Sequence, residues 1–286
     1  MPARLTAYLP DAAAVTCWLD EADDILIGRD SAAGCCLPHP SVSRRHARLR
    51  FDGSCWQLRD AGSKNGVFVD GFRRTHAPLG PQHWLRFGDV HCEFVRTSAA
   101  AFAAAQQKRR DKEALSTGWA ERLGQHEGAG ALLDDTLRAV LSLAECERGC
   151  VLLPDAEGWQ PVTQAGLSLA RWQQAGFAGS RTALQRALAQ RAPVVVNDTR
   201  GDAELASRAS VLDGQIHALL ALPLLQGESV LALIYADRVR AGEPISDFDL
   251  RILRAFAERA ALWLATRRGL DALQRLPVQG GPALAA

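Results

Sequence analysis

Gly28-Arg29, Ser43-Arg44-Arg45-His46 and Ser63-Lys64-Asn65-Gly66 are three short polar clusters, closed by Val69-Asp70-Gly71. Each stands at the end of a run that alternates like a strand. The apolar positions on either side recur every second residue: Val15, Cys17, Leu19; Ile25, Ile27; Ala47, Leu49, Phe51; Trp56, Leu58; Val67, Val69; Leu85, Phe87; Val90, Cys92, Phe94. Asp52-Gly53, Ala61-Gly62-Ser63, Gly80-Pro81 and Gly88-Asp89 supply the turn residues between them. Many short strands without a helix-length pattern predict an all-β sandwich over residues 4–96, with the polar clusters as loops gathered at one rim.

The side chains at that rim suit an anion carried on a peptide. Arg29 offers a planar fork of donors that matches phosphate oxygens, and charge-assisted bonds of this kind are about twice as strong as neutral ones. Ser43 can donate a hydroxyl hydrogen bond, and Arg44 and Lys64 add positive charge. Asn65 carries both a donor and an acceptor, as gripping a peptide backbone requires, and Gly66 permits a turn with φ > 0 beside it. His46, at the start of the run His46-Ala47-Arg48-Leu49-Arg50-Phe51, reads as a loop brace rather than a catalytic base.

In this order and spacing, Gly-Arg, Ser-x-x-His, Asn-Gly and a second x-Gly resemble a forkhead-associated (FHA) domain over about residues 4–96. The resemblance implies binding of phosphothreonine in an extended peptide. Arg29, Ser43, Arg44, Lys64 and Asn65 would contact the peptide, and Gly28, His46 and Gly66 would support the site. Two positions depart from the family pattern. Lys64 stands where a threonine or serine usually reaches the phosphate, and the closing Asn-Gly is Asp70-Gly71, which is expected to bring a negative charge to the rim.

At 286 residues the chain has room for two ordinary domains. Its net charge of +1 argues against bulk nucleic-acid binding. The seven cysteines lack framework spacing, which predicts reduced thiols in a cytoplasmic protein, and Cys146 and Cys150 read as small buried apolar residues rather than half a zinc site. No apolar leader and no membrane-length apolar run is visible, so no membrane contact is expected.

Residues 97–127 change character. An alanine-rich run, Ser98 to Ala105, leads into Gln106-Gln107-Lys108-Arg109-Arg110-Asp111-Lys112-Glu113, with Gly118 and Gly124 as interruptions. Helix propensity without an apolar face predicts a semi-rigid, partly helical linker whose charge run is solvated. From 128 to 268 a second domain follows. Leu133, Leu137, Val140, Leu141 and Ala144 mark one helical stripe, and strands are expected at 148–153, 192–196, 218–225 and 229–237. A helix begins after Ser180, and a last helix starts at a capping box, Ser246 to Asp249. Ile252 and Trp263 lie off its core stripe and hint at a helix–helix dimer interface. Residues 269–286 read as a flexible tail.

The distributed pattern of Pro193-Val194-Val195-Val196-Asn197-Asp198, Val230 to Arg238 and Ser246-Asp247-Phe248-Asp249-Leu250 resembles a GAF domain. The resemblance implies an α+β fold with an antiparallel sheet, helices on one face, a small-ligand pocket on the other, and dimerisation. Neither the cyclic-nucleotide set nor a bilin-attaching Cys-His pair is present, so no cofactor is expected.

Catalytic readings fail on spacing. Ser43 and His46 lack an orienting third partner, and Gly62-Ser63-Lys64-Asn65-Gly66 lacks the spacing and following helix of a P-loop. No catalytic or metal-binding residue is predicted. Arg44, Arg45, Arg48 and Arg50 read as a solvated strand face, not a nucleic-acid surface. The expectation is a cytoplasmic signalling adaptor, not an enzyme, that docks a phosphothreonine-containing partner such as a Ser/Thr kinase or its substrate. Its GAF domain would dimerise it or sense a small ligand. The alternative is a GAF-based small-molecule sensor acting on a partner of transcription-activator or cyclase type, with the FHA domain as docking module.

Overall fold

The computed structural model describes residues 1–9, 12–156, 158–167, 180–197 and 216–274. The N-terminal part is a sandwich of two sheets. One runs β2 (Val15–Leu19), β1 (Ala3–Tyr8), β11 (Val90–Arg96), β10 (Gln82–Phe87), β7 (Val67–Val69), β8 (Phe72–Arg74) in space. The other runs β4 (Cys35–Cys36), β3 (Asp24–Gly28), β5 (Ala47–Phe51), β6 (Trp56–Asp60), β9 (His76–Leu79). Alternation builds the core: Leu5, Leu49, Trp56, Leu58, Phe87 and Phe94 point inward and are buried, while Arg48 and Arg50 on the intervening positions of β5 are exposed.

Cys17 on β2 and Cys35 on β4 are joined by a disulfide, with their Cα atoms 6.1 Å apart. This corrects the expectation of uniformly reduced thiols. The pairing was not legible because it depends on edge strands of two different sheets lying side by side.

The segment after β11 is also different from its sequence reading. It is one helix, α1 (Ala99–Leu123), capped by the Ser98 hydroxyl and unbroken at Gly118. Ala120 and Leu123 are buried, and Lys112 is bonded to Asp249 at 2.6 Å and Glu145 at 2.9 Å. Lys112 is therefore partly enclosed against acids of the second domain, while Lys108 pairs with Glu145 and Glu243 and stays exposed.

That second domain is a five-stranded antiparallel sheet. Its order is β13 (Gly158–Ala165), β12 (Arg148–Asp155), β16 (Ser229–Arg238), β15 (Ala218–Gln226), β14 (Val194–Val196). Helices α2 (Ala129–Ala144) and α4 (Asp247–Gln274) cover one face and α3 (Arg181–Gln190) packs on the other. The sheet is buried on both sides, which explains the continuous apolar runs of its central strands. Leu220, Leu222, Ile234 and Ala236 join the α2–α4 core, whereas Leu219, Ala221, Leu233 and Tyr235 join the core under α3. Ser180 caps α3 through Ala183 N–H at 3.2 Å, and Ser246 and Asp249 form a reciprocal box at the start of α4.

Helix α4 continues to Gln274, so residues 269–274 are helix and not tail; residues 275–286 lie outside the described residues. Asp198, Glu157 and the polar stretch at 199–215 lie outside them as well. Ile252 and Trp263 are partly buried against the second domain's core, and Trp263 lies against Gly124 at the end of α1.

The two domains are docked. Ala14 N–H donates to Ile245 O at 3.1 Å, and Asp247 N–H donates to Ala14 O at 2.8 Å, forming a parallel bridge between the residues before β2 and the start of α4. No helix among the described residues is long and apolar enough to cross a membrane.

The disulfide makes a direct prediction. Protein purified without reductant and then denatured should show five reactive thiols by colorimetric titration, rising to seven after reduction. Seven before reduction would remove the bond.

Candidate phosphopeptide site

The rim loops are tied together before any ligand arrives. Arg29 follows β3, and its N–H donates to Ser43 O at 3.0 Å, while Leu37 N–H donates to Gly28 O at 2.7 Å. A Cβ on Gly28 would lie 2.0 Å from Arg44 O, so only glycine lets the two loops approach this closely.

His46 holds the other side. It is fully buried; its Nδ1 accepts from Ser43 N–H at 3.0 Å and its Nε2 meets Gly66 O at 3.0 Å. With Nδ1 an acceptor, the proton sits on Nε2 and is donated to the carbonyl. Burial keeps the imidazole neutral by pushing its pKa below the ordinary 6.5, partly opposed by the bond to Gly66 and by Asp60. The ring also meets Phe87 edge-on at 5.7 Å.

The Ser63–Gly66 loop is anchored in turn. Ser63 N–H donates to Asp60 Oδ1 at 2.9 Å, Lys64 N–H donates to Ser43 Oγ at 3.0 Å, and Gly66 has φ +80°. Because Ser43 Oγ accepts from Lys64, its own hydroxyl proton is left to donate outward. Asn65 is exposed, and its Nδ2 donates to Ser41 O at 2.8 Å, which leaves its amide oxygen and second N–H facing solvent. Arg29, Arg44 and Lys64 are exposed and make no ion pair among the described residues. Exposed cations thus stand on the same bonded loops that carry the Ser43 hydroxyl and the Asn65 amide.

Two residues absent from the sequence reading complete the frame. Ser41 links three loops: its carbonyl takes Asn65, and its hydroxyl accepts Asp89 N–H at 2.8 Å. Arg73 of β8 lies over Gly66, with its Nε 2.6 Å from where a Cβ would stand. Neither was signalled locally, because the contacts span 24 residues to Asn65 and 48 to Asp89. Asp70 corrects an expectation. With φ 48°, and Gly71 at 85°, it turns β7 into β8, and its carboxylate engages His83 Nδ1 at 2.6 Å and Trp84 N–H at 2.9 Å. The bond from His83, and then that from Trp84, holds its pKa below the usual carboxylate range. Its charge serves the β7–β8 turn, across β7 from Asn65.

In the second domain a polar network crosses the sheet face under α3. Arg148 binds Asp237 through Nε at 2.6 Å and Nη2 at 3.0 Å, Tyr235 Oη donates to Asp237 Oδ2 at 2.9 Å, and Ser180 N–H donates to Tyr235 Oη at 3.2 Å. It pins the start of α3 to the sheet. Burial raises the Asp237 pKa, while Arg148 opposes that shift.

Comparison with known proteins assigns a family to each part of the chain. Residues 25–90 match the FHA domain and residues 129–264 match the GAF domain. The chain is an FHA domain followed by a GAF domain. FHA domains form a phosphothreonine-binding family, and both domains are binding and sensing units rather than catalytic ones. Among curated proteins, FHA domain-containing protein FhaA of Mycobacterium tuberculosis is 38% identical over 96 residues, covering 32% of this chain and 17% of that protein. The ABC transporter ATP-binding/permease protein Rv1747 of the same organism is 42% identical over 50 residues, 18% of this chain and 6% of the relative. The chain therefore matches only a small part of these relatives' length. An FHA structure from an analysis of phosphothreonine-dependent FHA domain interactions is 30% identical, covering 33% of this chain and 98% of that one, with a TM-score of 0.30. The GAF domain of a putative sensor histidine kinase from Pseudomonas syringae pv. tomato is 18% identical, covering 60% and 97%, with a TM-score of 0.44.

His46 offers a test of the frame. His46→Ala leaves Ser43 N–H and Gly66 O without partners and should lower stability by about 1–3 kcal/mol in denaturant titration. Because the folded-state pKa is depressed, the unfolded chain binds more protons below the ordinary 6.5. His46 thus contributes a term that reduces stability as pH falls from there toward the folded pKa and is absent above it. That component should vanish in His46→Ala; an unchanged pH profile would contradict the neutral, buried tautomer.

Proposed function

We propose that this chain is a signalling adaptor that reads phosphothreonine in an extended protein segment. The observation that carries the reading is an exposed Arg29 side chain with no ion pair among the described residues, on a backbone bonded to Ser43, whose loop His46 ties to Gly66. In this reading Arg29, Ser43 and Lys64 contact the phosphate, with Lys64 supplying a point charge in place of a hydroxyl. Arg44 contacts the flanking peptide, and Asn65 grips the backbone with the amide groups that Ser41 leaves open. Gly28, His46 and Gly66 support these contacts without touching the ligand. The partner is a phosphorylated protein such as a Ser/Thr kinase or its substrate.

We place the protein in the cytoplasm, where such kinases act; the Cys17–Cys35 disulfide, which reducing compartments disfavour, weighs on the other side. The GAF domain would act as a dimerising or ligand-sensing unit. Leu262 of α4, which is exposed, is a position through which helices could dimerise, whereas Trp263 packs in part against the end of α1.

Calorimetric titration of the full chain with matched phosphothreonine, phosphoserine and unphosphorylated peptides tests the proposal. Binding should be confined to phosphothreonine, and Arg29→Ala should weaken it roughly 10- to 150-fold, the loss of a charged hydrogen-bond partner. Equal affinity in Arg29→Ala would place the phosphate elsewhere.

A further inference from the structure

Where the two domains meet, β1, β2, α1 and the segment leading into α4 enclose an open cleft of about 430 Å³. That volume is in the range of small-molecule sites, and domain junctions are where such sites concentrate. The cleft exists because the alanine-rich turn of α1 presents only methyl groups to it, at Ala101, Ala104 and Ala105. Trp18 of β2 and Phe248 of α4 give it aromatic walls from both domains.

Its polar groups are unevenly matched. Glu243 is already engaged by Lys108 at 3.0 Å and Asp249 by Lys112 at 2.6 Å. Glu93 takes Arg4 Nη2 at 3.3 Å, and Glu145 takes both lysines from outside the cleft. Donors remain. Arg109 lies 4.2 Å over the Phe248 ring and makes no ion pair among the described residues. Arg4 Nε and Thr97 Oγ1 are buried and have no hydrogen-bond partner among the described residues. Orphaned buried donors are uncommon, because each has lost its water without gaining an acceptor. A guanidinium held against an aromatic ring, beside donors without acceptors, favours a molecule that brings a negative charge and a flat apolar body together.

We infer that this interdomain cleft binds a small aromatic or similarly flat anion, with its body between Trp18 and Phe248 and its charge on Arg109. The site is separate from the phosphopeptide rim and does not depend on it. It is also separate from the sheet face under α3, so a small-molecule signal would enter at the joint between the domains and contact both at once. A ligand there bears directly on how the FHA domain is held against the GAF domain, since Arg4 and Trp18 belong to one and Phe248 to the other.

The test uses the full chain and two probes of one shape, 1-naphthoate and its neutral counterpart 1-naphthalenemethanol, titrated by calorimetry. Naphthoate should bind at least about tenfold more tightly. Arg109→Ala should erase that difference, Ala104→Leu should weaken both probes about tenfold or more by filling the space, and Arg29→Ala should change neither. Ala101→Leu closes the same space and replaces Ala104→Leu if that variant melts below the parent. Absence of naphthoate binding at millimolar concentration, equal affinity for the two probes, or full binding in the filled cleft would overturn the inference. Loss of naphthoate binding in Arg29→Ala would do so too, by moving the anion to the phosphopeptide rim.

Discussion

The rim of the FHA domain depends on one buried imidazole. His46 accepts from the loop that carries Ser43 and donates to the loop that carries Asn65, so the groups that would meet phosphate and peptide share a single support. A neutral ring is required, because a protonated Nδ1 could not accept Ser43 N–H. Burial provides it. The bonds from Arg29 N–H to Ser43 O and from Lys64 N–H to Ser43 Oγ extend the same frame. The exposed cations Arg29, Arg44 and Lys64 stand on these bonded loops without an ion pair among the described residues.

The joint between the domains follows a different logic. Here the charges are largely matched: Lys108 and Lys112 sit between Glu145, Glu243 and Asp249, and Arg4 reaches toward Glu93 and Glu243. Backbone bonds at Ala14 fix the register of the contact. Helix α1 is thus a structural part of the second domain's helical layer as well as a connection. The disulfide ties β2, which faces this joint, to β4, which pairs with the strand leading into Arg29.

Local chemistry was legible where a few consecutive residues determine it. Arg29, Ser43 and Asn65 are readable because each loop has its own short signature, and Gly28 and Gly66 because backbone geometry admits little else there. The capping residues Ser180 and Ser246 and the alternation of the sandwich strands are local in the same sense. Ser41 and Arg73 were not legible, since serine and arginine are common surface residues and only the fold brings them to Asn65 and Gly66. Asp70 was misread for the same reason: two residues past β7's midpoint its side chain turns to β10 rather than to the rim.

By itself the sequence determined two domains, their order, the alternation of the sandwich strands and the capped starts of two helices, because hydrophobic period and turn chemistry act over a few residues. The tertiary structure alone decided the Cys17–Cys35 bond, the pairing of Lys108 and Lys112 with acids of the second domain, the packing of Trp263 against Gly124 and the cleft beside Ala104. Each of these depends on the distance between elements far apart in the chain, which composition and spacing do not encode.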